Sequence, residues 1–452
     1  MGEAVRLHQV ATRCFSRLGG DKGGRLVLSL FFKAILGIQR IFHFETLNDV
    51  GFAWLTGGRR VLGRNALGGL VRAASSRAVG RFVNLTRPLL DAAQQLRVSI
   101  DEHVVARFTR KFLIPKGFHT IRNKKMRAEK LFFSFAPGFR TLLDLVVTPG
   151  SARLARVAKQ MLQSLRRQVS RGQLRVVLDA GSAQNHKELL DLVDDNKGHV
   201  LLIRTPRRPA YRKHWESLPA TAFTRYEEPG RYTNAPAKPV FVAETTTSMR
   251  AGKHAAPRLV RTLVVREVKR TGKDRWHALF IFGDDSTGAL ALLKEFRARQ
   301  HHEQTYRVLL HDAFVDTAPS GYNKHSRNPD RPGFRKNALA LYAWVTGLAV
   351  NALKSFSLSL PERFHLAHPR TLRRFWLNVN AELYLGNGTL IVLLNPRWFR
   401  AWWVKKLERF NTKRVRVPWM DNRLVILSLD ATPASTREPS TDPSEGEPRV
   451  WC

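Results

Sequence analysis

Two apolar periods divide the chain. In LVLSLFFKAILGIQRIF (26–42) apolar side chains fall on a broad helical stripe, and residues 1–95 read as a helical domain. From residue 96 the period shortens to two. Leu96, Val98 and Ile100 alternate with polar residues in LRVSIDEHVVARF, which predicts a strand with Asp101 at its end. A basic connector, KGFHTIRNKKMRAEK, leads to two more strands at 131–135 and 141–147, closed by Pro149-Gly150. Residues 152–172 have helical spacing. RVVLDAG (175–181) reads as a buried strand ending at Asp179, followed by a helix at 186–198 and a buried strand, HVLLIR, at 199–204. Three strands and then helix, strand, helix, strand predict an α/β fold: a mixed sheet with helices on its faces.

Past residue 204 the alternation breaks. Runs at 240–249, 261–270 and 276–282 predict a β-rich insertion spanning 205–285. Helical spacing returns at 290–310, and 335–353 reads as a buried helix. Residues 382–394 predict a hairpin around Gly386-Asn387-Gly388. The expected organisation is a helical N-terminal domain (1–95), a catalytic domain (96–204 with 286–360), the insertion (205–285) and a C-terminal region (361–430). A tail rich in Pro, Ser, Thr and Glu (431–452) is predicted to be disordered.

Charge changes this picture most. Among 452 residues the formal net charge is +40, with a pI near 11.3. Such an excess repels itself without a polyanion, so nucleic acid is the expected partner and the helical domain is expected to bind DNA. The longest apolar runs, 26–32 and 341–350, read as too short or interrupted to span a bilayer, and the N-terminus lacks a signal-peptide pattern. Cys14 and Cys452 alone make neither a disulfide framework nor a cysteine zinc site, so a reducing cytoplasm is expected.

Asp101 and Asp179 close strands whose ends would form the crevice of an open sheet. Glu303 lies on a later helix able to cross it. Three converging carboxylates would repel one another unless cations neutralised them, and hard oxygen ligands favour Mg²⁺ or Mn²⁺. Two such ions would suit an in-line phosphoryl displacement. Each acid has a blander reading. An acid at a strand end commonly caps a turn, and Arg299 is spaced to pair with Glu303 along a helix. A zinc motif beginning at His302-Glu303 fails because position 306 is Tyr306.

The order of aspartate on strand one, aspartate on strand four, β-rich insertion and glutamate on a helix resembles the DDE transposases of bacterial insertion sequences. The resembling subgroup carries Tyr-x2-Arg-x3-Glu-x6-Lys around its last acid; the register here reads Phe296, Arg299, Glu303 and Leu310. The resemblance implies a ribonuclease H-like catalytic domain in which Asp101, Asp179 and Glu303 bind two divalent ions and Arg299 holds a DNA phosphate. It implies cut-and-paste transposition: hydrolysis at terminal inverted repeats, then strand transfer into target DNA by a dimer in the cytoplasm at the bacterial nucleoid. Lys116, Arg122, Lys124 and Lys125 of the connector, and Arg207, Arg208 and Arg212 of the insertion, would grip the duplex backbone. Leu310 departs from the signature lysine. A DNA-binding relative that does not cut, and a nuclease of the same fold, are the alternatives.

Overall fold

The computed structural model describes residues 2–47, 49–88, 95–107, 116–119, 123–136, 141–169, 172–228, 237–268, 274–317 and 336–430. Arg122 and the tail at 431–452 lie outside them, as do the side chains of His301 and His302. The chain divides into two compact units, 88–304 and 1–87 with 305–452.

The second of these begins with α1 (Gly2–Cys14), α2 (Lys22–Leu36), α3 (Val50–Leu55), α4 (Arg64–Ala73) and α5 (Ser76–Thr86). Asp49 and Ser75 cap α3 and α5 by accepting from Phe52 N and Ala78 N.

The unit 88–304 is built on one large mixed sheet. Its first strands are β1 (Leu96–Ala106), β2 (Lys116–His119), β3 (Lys124–Ala136) and β4 (Thr141–Pro149). Then α6 (Leu154–Gln168), β5 (Leu174–Leu178), α7 (His186–Asp194) and β6 (Val200–Arg204) alternate. β1, β5 and β6 are mutually parallel neighbours, and β3 lies antiparallel between β1 and β4. This is the mixed α/β arrangement expected from the alternation.

One expectation needs correction. The first strand does not stop at Asp101; it runs on to Ala106, because Glu102–Ala106 still pair with Leu131, Phe132 and neighbouring residues of β3. The segment after β6 contains α8 (Pro209–Glu216), β7 (Thr224–Glu228), β8 (Lys238–Met249), β9 (Arg258–Val268) and β10 (Asp274–Phe282). These strands extend the same sheet. β10 pairs antiparallel with β6, and the ladder continues through β9 and β8 to β7. Unpaired backbone on β6 supplies the reason: an open edge recruits the next available strand.

Helices cover both faces. Leu162, Leu165, Leu189 and Leu192 from α6 and α7 pack on Val98, Ile100, Val176 and Leu178. α8 joins that face through Trp215, against Val264 and Ala278. The opposite face, with Val177, Leu202, Leu263 and Leu279, receives Leu292 and Leu293 of α9 (Ala289–Ala298). The helix expected at 290–310 is interrupted: Arg299 separates α9 from α10 (Gln300–Arg307), and a π-helical turn follows at Val308–Asp312.

In the other unit, α11 (Lys336–Leu358) is longer than the expected 335–353. Its stretch Asn337–Leu358 is long and apolar enough to cross a membrane by length and composition, which revises the reading of 341–350 as too short a run. About two thirds of that window is buried within the structure. Trp344 is fully buried and donates to Thr86 Oγ1 at 2.8 Å. α12 (Pro369–Leu372), α13 (Arg400–Thr412) and a small sheet of β11 (Asn380–Gly386), β12 (Thr389–Asn395), β13 (Arg416–Val417) and β14 (Arg423–Leu429) complete it. The β11–β12 hairpin turns at Asn387-Gly388, where Gly388 adopts φ +69.

Candidate active site

The parallel pairing of β1 with β5 sets Ile100 opposite Leu178. The next residue on each strand is an aspartate, so Asp101 and Asp179 emerge side by side where the pairing ends. Successive strand residues face opposite ways. Asp101 therefore shares the face of Ser99, and Asp179 the face of Val177, toward α9. Asp179 is not a turn cap: its side chain makes no capping hydrogen bond to the 3₁₀ turn Ala180–Ala183. Its backbone carbonyl does that work, accepting from Ser182 N at 3.1 Å and Ser182 Oγ at 2.7 Å.

Both carboxylates converge on Arg299. Its Nη2 lies 2.9 Å from Asp101 Oδ2 and its Nη1 lies 3.3 Å from Asp179 Oδ1. Side-chain exposures of 13% for Arg299, 21% for Asp101 and 35% for Asp179 leave the cluster reachable from solvent on the aspartate side. Burial works against the arginine's charge, but Asp101, Asp179 and then Glu303 hold its pKa above the usual guanidinium value. Arg299 is thus spent on the aspartates rather than on a helical ion pair with Glu303. Glu303 itself is exposed on α10. Its charge reaches Arg299, but among the described residues no three His, Cys, Asp or Glu side chains are grouped closely enough to hold a metal ion. The structure brings Asp101, Asp179 and Arg299 together and leaves Glu303 at the rim.

Further cations surround the pair. Arg204, the last residue of β6, sits 3.7 Å from Asp179 Oδ1. Its pKa is lowered by burial and by the neighbouring Arg207, Arg275 and Arg299, against the pull of Asp179. His277 on β10 is pushed down to about 4 by burial and by Arg204, Arg275 and Arg207, so it is neutral at physiological pH. Sequence reasoning missed Arg204; the charge closing the buried run HVLLIR was the available signal.

Glu102 points to the opposite face, where Lys130 Nζ contacts both its oxygens at 2.9 Å. Burial raises its carboxyl pKa, Lys130 opposes that, and Asp101 and Asp179 add to it.

The expected backbone-gripping residues separate. Arg207 is exposed at the edge of the cluster. Arg208 is engaged within the protein, with Nη1 3.0 Å from His186 Nε2 and Nη2 donating to Gln184 O. Arg212 pairs with Glu216 at 2.8 Å on the exposed side of α8. Lys116, Lys124 and Lys125 are exposed on the β2–β3 hairpin. Lys125 is eight residues along β3 from Phe133, the partner of Asp101, or roughly 27 Å at the rise of a strand. One small group would not meet both places.

Behind the site, Arg175 fixes α9 to β5. Its Nε lies 2.9 Å from both oxygens of Glu295, and its Nη1 lies 2.8 Å from Asp284 Oδ2. All three side chains are at most 7% exposed. Arg175 stands four residues before Asp179, and Glu295 four before Arg299, so one ion pair registers the other.

No family model matches the sequence, and no curated protein matches it. Among solved structures the chain is similar to a piggyBac transposase in a synaptic complex with hairpin DNA. The sequence identity is 9% and the TM-score 0.40, over 78% of this chain and 70% of that one. The strand order and site geometry above are the chain's own and stand without that similarity.

Proposed function

We propose that the protein is a DNA transposase of the DDE type, which cuts phosphodiester bonds at the ends of a mobile element and joins the freed 3′-hydroxyl to target DNA. One observation carries the reading: two aspartates, side by side where the pairing of adjacent parallel strands ends, share the cationic partner Arg299. Carboxylates so placed repel each other unless a positive charge lies between them. Their hard oxygens suit Mg²⁺ or Mn²⁺, and Glu303, which stands outside the grouping in this structure, would be the third donor once α10 carried it inward. When bound, such ions would neutralise charge building on the phosphoryl and leaving oxygens. Arg299, Arg204 and Arg207 would hold phosphate oxygens beside the pair, and Lys116, Lys124 and Lys125 the backbone farther along. The net charge of +40 supports a duplex as the substrate. A dimer holding two element ends, working in the cytoplasm at the nucleoid, belongs to the same proposal.

A second reading, DNA binding without cutting, is favoured by Leu310 at the signature lysine position and by Arg299 filling the space between the aspartates. The test is nicking of duplex carrying the inverted repeats that flank the gene, with Mg²⁺, by the parent protein, Asp101→Asn and Glu303→Gln. The expected result is nicked and joined product from the parent and a loss of at least about 100-fold in both variants. Equal product from all three overturns the catalytic assignment. Tight binding with no product from any of them supports the second reading.

A further inference from the structure

We propose, resting on the reading of Asp101 and Asp179 as the cation-holding pair, that Arg299 is an exchange element. In the DNA-free protein its guanidinium takes the cation's place on both aspartates; an arriving DNA phosphate draws it away, so divalent cation and DNA enter the site together.

Two different nitrogens of Arg299 address two different carboxylates, at 2.9 and 3.3 Å. A guanidinium keeps its charge at any working pH, so only a competing partner can release it. The same fork is built to take phosphate oxygens. Nε of Arg299 is buried without a hydrogen-bond partner among the described residues, so the present arrangement leaves one donor unused. The helix is broken at this residue. Arg299 stands between α9 and α10, and its N–H bonds back three residues to Phe296 O instead of four. α9 need not shift with it, because Glu295 is tied to Arg175 one turn earlier.

Charge counting explains why the two ligands belong together. Asp101, Asp179 and Arg299 sum to −1, and Arg204 beside Asp179 and Glu303 at the rim cancel each other. A dication alone brings the cluster to +1 and confronts Arg299 with a like charge. A phosphate monoanion alone brings it to −2. Both together bring it to zero, with each anion facing a cation. Coupling of this kind is reciprocal: the factor by which DNA tightens cation binding is the factor by which the cation tightens DNA binding.

The experiment measures Mn²⁺ binding by electron paramagnetic resonance of the free ion, with and without a short blunt duplex, after subtracting binding to duplex alone. The full-length parent, Arg299→Gln, Arg299→Lys and Asp101→Asn are compared, with circular dichroism as the folding control. The expected result is weak Mn²⁺ binding by DNA-free parent, tightened at least about tenfold by duplex. Arg299→Gln should bind Mn²⁺ at least about tenfold more tightly than DNA-free parent and respond little to duplex; Arg299→Lys should fall between. Asp101→Asn should abolish the site in every case. If Arg299→Gln fails to fold, the parent's response to duplex alone decides. Asp101-dependent Mn²⁺ binding that ignores both duplex and the Arg299 substitutions overturns the exchange while leaving the acidic pair as a cation site. Absence of any Asp101-dependent Mn²⁺ binding overturns the underlying reading as well.

Discussion

Lys33 shows how much a single side chain can cost a fold. It is 1% exposed in α2, its Nζ lacks a hydrogen-bond partner among the described residues, and the Tyr342 ring centroid is 5.0 Å away. Burial first, and Arg373 second, lower its pKa to about 7, with Asp316 pulling the other way. The unfolded chain, titrating near 10.5, then holds more protons than the folded one between about pH 7 and 10.5. Stability should therefore rise with pH across that window. Lys33→Met is expected to raise the melting temperature at pH 7, by a stability gain of the order of a few kcal/mol, and to flatten the rise toward pH 9. Thermal melts at several pH values check both. A parent protein that loses stability from pH 7 to 9 as fast as Lys33→Met would contradict the account.

Elements in the unit 88–304 are registered by ionic links as well as by packing. Arg175→Met would leave Glu295 buried without its cation and Asp284 held, among the described residues, only by Ser286 and Thr287, an expected loss of about 3–5 kcal/mol in denaturant melts. The double variant Arg175→Met/Glu295→Leu should recover part of it, since one stranded charge is then gone. Gly283, between β10 and Asp284, adopts φ +72, and a Cβ there would stand 2.2 Å from the His199 carbonyl oxygen. Gly283→Ala should therefore destabilise by at least about 1–3 kcal/mol, read the same way. These links show where sequence reading stopped. Apolar period located β1, β5 and β6 and put Asp179 at the end of its strand, one residue past where β5 stops, because burial on both faces of a parallel strand leaves a continuous apolar run. The same signal ended β1 too early: HVVAR alternates weakly, and only pairing with β3 shows that the strand continues. Nor does alternation say which edge a strand joins, so the runs at 240–249, 261–270 and 276–282 gave a β-rich insertion with no partner strand. The arginines at 175, 204 and 299 were visible as charges. Their partners, up to 198 residues away in sequence, were not.

At the scale of the whole molecule, charge dominates. With a formal excess of +40, duplex binding should weaken steeply with salt. A contact set of 6–10 phosphates would lose roughly 10³–10⁵ in affinity between 50 and 200 mM salt. Fluorescence anisotropy over that range measures the slope; a flat response would mean the basic surface is not where DNA lies. Exposed Lys116, Lys124 and Lys125 on their hairpin are expected to contribute to this slope without affecting the acidic pair. Replacing the three with glutamine should reduce its magnitude by roughly three, and should leave Mn²⁺ binding by the DNA-free protein unchanged.

The two aspartates are mounted on interior strands of a ladder that extends to both sides of them, whereas Glu303 rides on the short α10, beyond a discontinuity in its helix. Central strands are the last part of a protein to open, and short exposed helical ends the first. Amide hydrogen exchange should be slowest at Val98–Ile100 and Val176–Leu178 and fast around Glu303. On the proposed assignment, gentle warming would then disconnect Glu303 while Asp101 and Asp179 stay in place, and nicking would fade well before the molecule unfolds.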